Sequence, residues 1–231
     1  MRIKIDFLIN DNFEFSKELN EAMTAFIYRC ISVSDKDYAT KLHDEGFRSS
    51  GYKKFVYHTY SLRQGKERVK NKLNKGIATL ILSSLVDDTI KHFINGLTKI
   101  GKVQLLSTSF EIRNIQYLKD KDIKEGIFRL SSPIFIEDIN HNELTPCDMQ
   151  KYIESNLIQK YYLLNDKLPE EMNIEIKFLD YQKEIVNYKG SRYNCHFGNI
   201  AIKGSEELIN IAYKAGIGTK NGLGLGLLER I

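Results

Sequence analysis

The sequence has no long apolar run and no cysteine pair at metal-binding spacing. Because no stretch of about 18 apolar residues occurs, a membrane-spanning helix is not expected. Residues 1–6 carry charges where a signal peptide needs its apolar core. Cys30, Cys147 and Cys195 lie far apart, which favours a reducing compartment and offers no CxxC zinc site. We therefore expect a soluble, cytoplasmic protein with no membrane partner.

The chain also lacks a strong excess of one charge. It has 34 Lys+Arg and 30 Asp+Glu, and the resulting net charge of +4 is too small to identify a nucleic-acid-binding protein. With 42% hydrophobic and 28% charged residues, its composition argues against disordered and fibrous classes. At about 100–200 residues per domain, the 231 residues allow one large domain or two small ones.

Positive charge is concentrated in residues 48–75, here called the basic stretch. It contains nine basic residues and one acid, Glu67, with aromatic residues interleaved near its start. Basic side chains neutralise phosphates and aromatic rings stack on bases, so the stretch predicts an RNA or DNA surface. A solvated hairpin with a charged tip would give the same pattern, and charge alone does not decide between them.

The hydrophobic pattern predicts an α+β chain in which the order β-α-β-β-α-β occurs twice. This order favours two tandem ferredoxin-like (RRM-like) βαββαβ domains, at 1–120 and 127–231. The predicted elements of the first domain are strand 2–9, helix 17–33 capped by Ser16, helix 35–43, strands 53–62 and 76–85, helix 86–100 and strand 102–118. Those of the second are strand 127–137 interrupted at 131–133, helix 145–165, strand 173–179, a segment 185–202 that is either one strand or the two arms of a hairpin, helix 206–214 and a last segment at 225–228.

Residues 216–226, here called the glycine-rich segment, contain five glycines in eleven residues, directly after a predicted helix. Glycine permits positive φ and close approach, and successive N–H groups in such a loop can bind an anion. A Walker loop would end in Gly-Lys-Ser/Thr, and a dinucleotide fingerprint would open a helix, so the segment matches neither. A turn followed by a glycine-weakened edge strand explains the composition equally well.

Gly-hydrophobic-Gly, five residues, and Gly-hydrophobic-Gly again resembles the glycine-rich loop of the CRISPR-associated repeat-processing endoribonucleases of the RAMP superfamily. Further matches are Tyr28 on the first helix with His43 fifteen residues later, the Thr59-Tyr60-Ser61-Leu62 strand, and Leu130-Ser131-Ser132-Pro133 at the start of the second predicted domain. The resemblance covers nearly the whole chain.

This resemblance implies metal-independent cleavage of CRISPR precursor RNA within its repeats. The ribose 2′-hydroxyl would attack, leaving a 2′,3′-cyclic phosphate and a 5′-hydroxyl. The residue chemistry agrees, because an imidazole can serve as base or acid, each role worth about 10²–10⁴-fold, and a Lys or Arg can stabilise the phosphorane charge. Paired acids at metal-ligand spacing are absent from the sequence, so we expect no metal and no cofactor.

His43 matches the family's usual catalytic histidine, although the local pattern alone would make it an ordinary helix-end histidine. Tyr28 matches the tyrosine that hydrogen-bonds near the scissile phosphate. The charge-stabilising lysine is less defined, because Val56 occupies its usual place and Lys53 or Lys54 matches only with a small shift. His58 is the rival catalytic or RNA-contacting histidine.

Repeat RNA, as precursor crRNA, is the predicted partner, and a CRISPR effector complex and a homodimer stay open. The alternatives are a non-catalytic RNA-binding subunit of an effector complex and a small-ligand or interaction module on the same fold. His92, His141 and His196 are interpreted as structural or solvated. The residues predicted to contact RNA are Lys53, Lys54, His58, Arg63, Lys66, Arg68, Gly216, Gly218, Lys220, Gly222, Gly224 and Gly226.

Overall fold

Two antiparallel sheets, each with helices packed against it, make up the fold. The computed structural model describes residues 1–15, 19–46, 48–50, 53–105, 108–119, 123, 125–137 and 145–231, with the backbone alone at 48–50, 53 and 54. The elements of the first part are β1 (Arg2–Ile9), β2 (Phe13–Glu14), α1 (Leu19–Ser34), α2 (Lys36–Asp44), β3 (Arg48–Ser50), β4 (Lys53–Phe55), β5 (His58–Gln64), β6 (Glu67–Arg68), β7 (Lys72–Leu73), β8 (Gly76–Ser84), α3 (Asp87–Ile100), β9 (Val103–Leu105) and β10 (Thr108–Leu118).

The second part repeats the pattern. Its elements are β11 (Gly126–Leu130), β12 (Ile134–Phe135), α4 (Pro146–Asn165), β13 (Ile174–Tyr188), β14 (Ser191–Gly204), α5 (Glu206–Ala215), a single 3₁₀ turn (Asn221–Leu223) and β15 (Leu228–Arg230). Within the described ranges, every helix is too short or too polar to cross a bilayer.

Both sheets have the strand order of a ferredoxin-like fold. In the first, the order is β6-β5-β8-β1-β10-β9, and in the second, β15 and β14 flank β11 while β13 pairs with β14. The four main strands of each sheet therefore run 4-1-3-2 in chain order, which confirms the predicted fold class. The second sheet also extends as the long β13–β14 hairpin, whose two-residue turn at Lys189 and Gly190 has positive φ at both positions, as a type I′ turn requires.

Local sequence explains most element boundaries. Alternation in β1 buries Ile3, Ile5 and Phe7 in a core that also contains apolar residues of α1, α2 and α3. Thr145 caps α4 in a capping box with Asp148, and proline occupies the first turn of that helix. The cap predicted at Ser16 lies outside the described residues.

Three strand predictions were wrong in detail. The segment 53–62 is two strands, because Tyr57 takes a left-handed backbone with φ 53° and Phe55 and Tyr57 enter the second core rather than the first. The segment 102–118 is a β9–β10 hairpin in which Val103 faces Phe110. Residues 174–188 form one continuous strand, because backbone pairing with β14 holds the mostly exposed middle of β13 that hydrophobicity could not identify.

The first half of the chain therefore also supplies residues to the second hydrophobic core. Phe55 and Tyr57 come from the first half of the chain but pack in the second core. The Tyr57 hydroxyl donates to the Lys160 carbonyl of α4 at 2.8 Å, and the Leu85 N–H donates to the Tyr57 carbonyl at 2.9 Å. The chain between β4 and β5 is thus held from both sides.

Candidate functional site

Three aromatic rings meet where α1, α2 and β5 converge, and they are here called the ring cluster: Tyr28, His43 and His58. The Tyr28 ring centroid lies 5.5 Å from that of His43 and 5.9 Å from that of His58. Tyr28 projects from the middle of α1, His43 from the last turn of α2, and His58 from the first residue of β5. The structure therefore brings together three residues that are up to thirty positions apart in sequence.

His43 is the accessible member of the ring cluster. Its side chain is 65% exposed, and its Nδ1 lies 2.8 Å from Oδ1 of Asp44. A carboxylate at one ring nitrogen orients the imidazole and leaves Nε2 available to another group. His43 thus has the exposure that a group reacting with a large substrate needs.

Tyr28 and His58 lie deeper. Burial is the main cause that raises the pKa of the Tyr28 hydroxyl, so this group stays protonated and can donate a hydrogen bond. The His58 ring is fully buried, and burial lowers its pKa to about 4. Its Nδ1 lies 3.3 Å from the Val56 carbonyl, and among the described residues its Nε2 has no hydrogen-bond partner. His58 is therefore a neutral imidazole at pH 7.

The candidate lysines are located by their backbone. Lys53 and Lys54 lie on β4, which pairs with β3 and leads into His58. Their side chains lie outside the described part of the structure, so their roles stay predictions. Lys53 and Lys54 precede His58 of the ring cluster by five and four residues in the sequence.

A basic cleft of about 830 Å³ lies at the other end of β5. Its lining includes eight basic residues and two acids, Glu67 and Glu184, so it is strongly positive. The apolar ring of Phe197 and the amide of Gln182 also line it. The basic residues are Arg63, Lys66, Arg68, Lys70, Lys72 and Lys75 of the first half, and Arg129 and Lys183 of the second.

Ion pairs between the two halves shape this cleft. Glu229 of β15 accepts hydrogen bonds from Arg63 of β5 and from Arg129 of β11, and these two cations hold the Glu229 pKa below its usual range against the opposing effect of burial. Arg68 pairs with Glu184 on the long hairpin. Arg63 and Arg68 are thus partly occupied by protein carboxylates, whereas Lys66 is exposed.

The glycine-rich segment lies mostly in the interior. Gly216, Gly218, Gly224 and Gly226 are buried, Gly222 is half-buried and Lys220 is exposed. A Cβ on Gly226 would lie 2.0 Å from the Ile217 carbonyl oxygen, and one on Gly224 would lie 2.6 Å from the Tyr60 ring. Both have φ near +77°. Close packing thus explains why glycine occupies these positions. RNA contact by the glycine-rich segment stays a prediction, and Lys220 and Gly222 are its accessible positions.

The glycine-rich segment also reaches the ring cluster. A Cβ on Gly222 would lie 3.7 Å from Nε2 of His58. The Gly222 carbonyl accepts from the Thr24 hydroxyl at 3.4 Å, one helical turn before Tyr28. Thr59 Oγ1 donates to the Leu225 carbonyl at 2.8 Å. The end of the chain therefore packs against both elements that carry the buried rings.

The other histidines do not join the cluster. His92 stacks on Tyr38 with ring centroids 4.7 Å apart, and His196 lies 5.7 Å from the Tyr181 ring. His141 lies outside the described residues. In the described ranges, no group of three or more His, Cys, Asp or Glu side chains could hold a metal ion.

Two family models match almost the whole chain. "CRISPR-associated protein Cas6, N-terminal" matches residues 14–116, and "CRISPR associated protein Cas6, C-terminal" matches residues 118–230. The chain belongs to the Cas6 family. This confirms, at the level of the family, the resemblance predicted from sequence.

Known Cas6 proteins are similar over most of the chain. "CRISPR-associated endoribonuclease Cas6 1" of Methanocaldococcus jannaschii is 29% identical, over 100% of this chain and 93% of the relative. "CRISPR-associated endoribonuclease Cas6" of Pyrococcus furiosus is 26% identical, over 90% of this chain and 80% of the relative. A solved structure described as "An RAMP protein binding different RNA substrates" superposes with a TM-score of 0.82 at 21% identity, covering 100% of this chain and 99% of the other. That likeness supports the tandem ferredoxin-like fold.

In this Cas6 family member, sequence reasoning missed one buried network. Lys160 of α4 is 1% exposed, and its Nζ donates to the carbonyls of Gly216 and Gly218 and to Oδ1 of Asn221, at 2.7, 3.0 and 2.8 Å. Asn221 Nδ2 donates in turn to the Ile217 and Leu225 carbonyls. A signal was present, because Lys160 continues the buried stripe of α4 that includes Met149, Ile153 and Leu157.

Proposed function

We propose that this Cas6 family member is an endoribonuclease that cleaves CRISPR precursor RNA within its repeats. The observation that carries the proposal is the exposed His43 imidazole beside the Tyr28 ring at one end of β5, with the basic cleft at the other. Relatives of M. jannaschii and P. furiosus that match most of the chain bear the name endoribonuclease.

The proposed reaction is attack by a ribose 2′-hydroxyl on the adjacent phosphorus. The O2′–P bond forms and the P–O5′ bond breaks, so the products end in a 2′,3′-cyclic phosphate and a 5′-hydroxyl. One proton leaves the 2′-hydroxyl and one reaches the departing O5′. His43 serves as general acid or base in this exchange, because it is the exposed imidazole of the ring cluster.

Tyr28 and the β4 lysines complete the proposed site. The Tyr28 hydroxyl remains protonated and acts as an orienting donor near the scissile phosphate. Lys53 or Lys54, on the strand leading to His58, stabilises the charge on the phosphorane oxygens. In this proposal, residues 1–120 supply the reacting groups, and residues 127–231 supply the second wall of the cleft and the glycine-rich segment.

His58 has a different role in this proposal. A fully buried imidazole whose pKa is lowered to about 4 is a poor proton donor at pH 7, because almost none of it is protonated. Its place between Tyr28 and Gly222 suits packing of the site. The acid/base role is therefore assigned to His43.

RNA that occupies both the basic cleft and the ring cluster would contact the two ends of β5, because the side chains of β5 between them are buried. His58 and Arg63 are five residues apart on this strand, which corresponds to about 17 Å at ~3.3 Å per residue. Exposed lysines of the cleft would neutralise backbone phosphates, and Phe197 offers a face for stacking a base.

The test is single-turnover cleavage of the cognate repeat RNA in EDTA by wild type, His43→Ala and the control His92→Ala. A second RNA carries one 2′-deoxy sugar at the cut site. We expect wild type and His92→Ala to cleave only the all-ribose RNA, and His43→Ala to be slower by about 10²-fold or more.

Equal cleavage by His43→Ala would remove His43 from the reaction. Cleavage of the deoxy RNA, or cleavage that EDTA abolishes, would contradict the 2′-hydroxyl mechanism without a metal. Tight binding without cleavage by the wild type would select the alternative, a non-catalytic repeat-binding subunit.

A further inference from the structure

We propose that Lys160 is a positioning residue for RNA cleavage, whose ammonium group holds the glycine-rich segment against the elements that carry Tyr28 and His58. This inference rests on the proposed endoribonuclease function. It assigns a role in that reaction to a side chain of α4, which contributes no residue to the ring cluster.

The Lys160 ammonium uses all its donors on one segment of the chain. Lys160 Nζ has three N–H donors and three acceptors within 3.0 Å: Gly216 O, Gly218 O and Asn221 Oδ1. All three acceptors belong to the glycine-rich segment. One buried cation therefore ties the start and the middle of that segment to helix α4.

Hydrogen bonds and packing connect the glycine-rich segment to the ring cluster. Asn221 passes the constraint on through its two bonds to Ile217 O and Leu225 O. The next residue, Gly222, packs beside His58 and accepts from Thr24 on α1. A looser segment would remove packing from His58 and the hydrogen bond to α1, the helix that carries Tyr28, without touching RNA.

Lys160 also contacts the first half of the chain, which carries the ring cluster, through its backbone. Its backbone carbonyl accepts the Tyr57 hydroxyl, and Tyr57 immediately precedes His58. This bond uses main-chain atoms of Lys160, so a side-chain substitution leaves the donor and acceptor in place. The side-chain and backbone contributions can therefore be separated.

The charge state of Lys160 provides a distinctive readout. Burial lowers its pKa to about 7, and no charged side chain is a cause of that shift. The groups that accept its hydrogen bonds are the carbonyls of Gly216 and Gly218 and the side-chain amide of Asn221, and the Tyr57 hydroxyl of the first half donates to its backbone carbonyl. Above pH 7 the neutral amine keeps two N–H donors, so one of the three bonds is lost.

The experiment compares wild type with Lys160→Met, Lys160→Gln, which keeps two donors, and Lys151→Met, an exposed control on the same helix. Single-turnover cleavage of the cognate repeat RNA is measured from pH 6 to 9. Affinity is measured with the 2′-deoxy repeat, and folding by thermal unfolding.

We expect Lys160→Met to cleave at least tenfold more slowly with a Kd within threefold of wild type. Lys160→Gln should be intermediate, and Lys151→Met should match wild type. The wild-type to Lys160→Met rate ratio should fall as pH rises through 7. If Lys160→Met does not fold, Lys160→Gln and its pH profile carry the test.

Cleavage by Lys160→Met within twofold of wild type would overturn the positioning role while leaving the proposed function intact. A rate loss explained entirely by weaker RNA binding, or a rate ratio independent of pH, would overturn it as well. No cleavage by wild type would overturn both.

Discussion

The basic stretch and the glycine-rich segment are both predicted by sequence to bind RNA, but they have opposite surroundings. The exposed lysines of the basic stretch line an open cleft of about 830 Å³, whereas four of the five glycines in the segment are buried. The glycines allow the backbone to pass between Tyr60, Ile217 and Asn221. A composition suited to phosphate binding therefore also suits close packing, and the accessibility of the residues distinguishes the two.

The largest expected effect is on the unfolding free energy, at the buried glycine-rich segment. Gly226→Ala places a Cβ 2.0 Å from a carbonyl oxygen at a φ of +77°, so we expect a loss of about 3–5 kcal/mol in unfolding free energy. Gly65→Ala is the matched control, because its φ is +62° and nothing lies within 4 Å of the added Cβ. It should cost only about 1 kcal/mol. Urea unfolding measures both.

A Gly226→Ala protein as stable as Gly65→Ala but unable to bind repeat RNA would reverse this interpretation. The segment would then act at the RNA surface, and its close packing would be incidental.

A smaller effect is expected at His58, where the glycine-rich segment meets the ring cluster. Its pKa is about 4 when folded and about 6.5 when unfolded, so the unfolded chain binds the extra proton between these values. Wild-type stability should therefore be complete above pH 6.5 and fall toward pH 4, by about 3 kcal/mol.

His58→Leu cannot take up this proton, so its unfolding free energy should fall less over the same pH range. Chemical unfolding of both proteins at pH 4, 5, 6 and 7 measures the difference. Identical pH dependence of the two proteins would mean that His58 is solvated in the folded state.

The smallest effect is expected on RNA affinity, in the open basic cleft. Lys66→Ala removes one exposed cation from the basic cleft, so the slope of log Kd against log salt should decrease by about 0.7 for single-stranded RNA. Lys167→Ala, an exposed lysine outside the cleft, is the control. Stability should not change in either variant. An unchanged slope for Lys66→Ala would place the RNA elsewhere.

Much of the fold could be predicted from sequence because its elements have strong local signals. Alternation identified β1, the Thr145–Pro146 start identified α4, and apolar spacing identified α3. The exceptions are segments whose conformation depends on distant partners. Strand 53–62 breaks at Tyr57 because the second core takes up its ring, and no periodicity within the segment encodes that.

The candidate site, too, could be predicted only in part from the sequence. The family resemblance identified Tyr28 and His43 as two members of the ring cluster, and their rings lie 5.5 Å apart. His58 and His43 could not be distinguished by sequence, because both are histidines near an element end. Burial separates them, since His58 is fully buried and the His43 side chain is 65% exposed.

By itself, the sequence determined the family, the order of most helices and strands, and the position of the positive charge. Those properties depend on residue type and short spacing. Only the tertiary structure decided that the glycines are interior, that Tyr57 crosses into the second core, and that Lys160 is buried among carbonyl oxygens. Tyr57 and Lys160 are 103 residues apart, and no local pattern in the sequence encodes a contact at that separation.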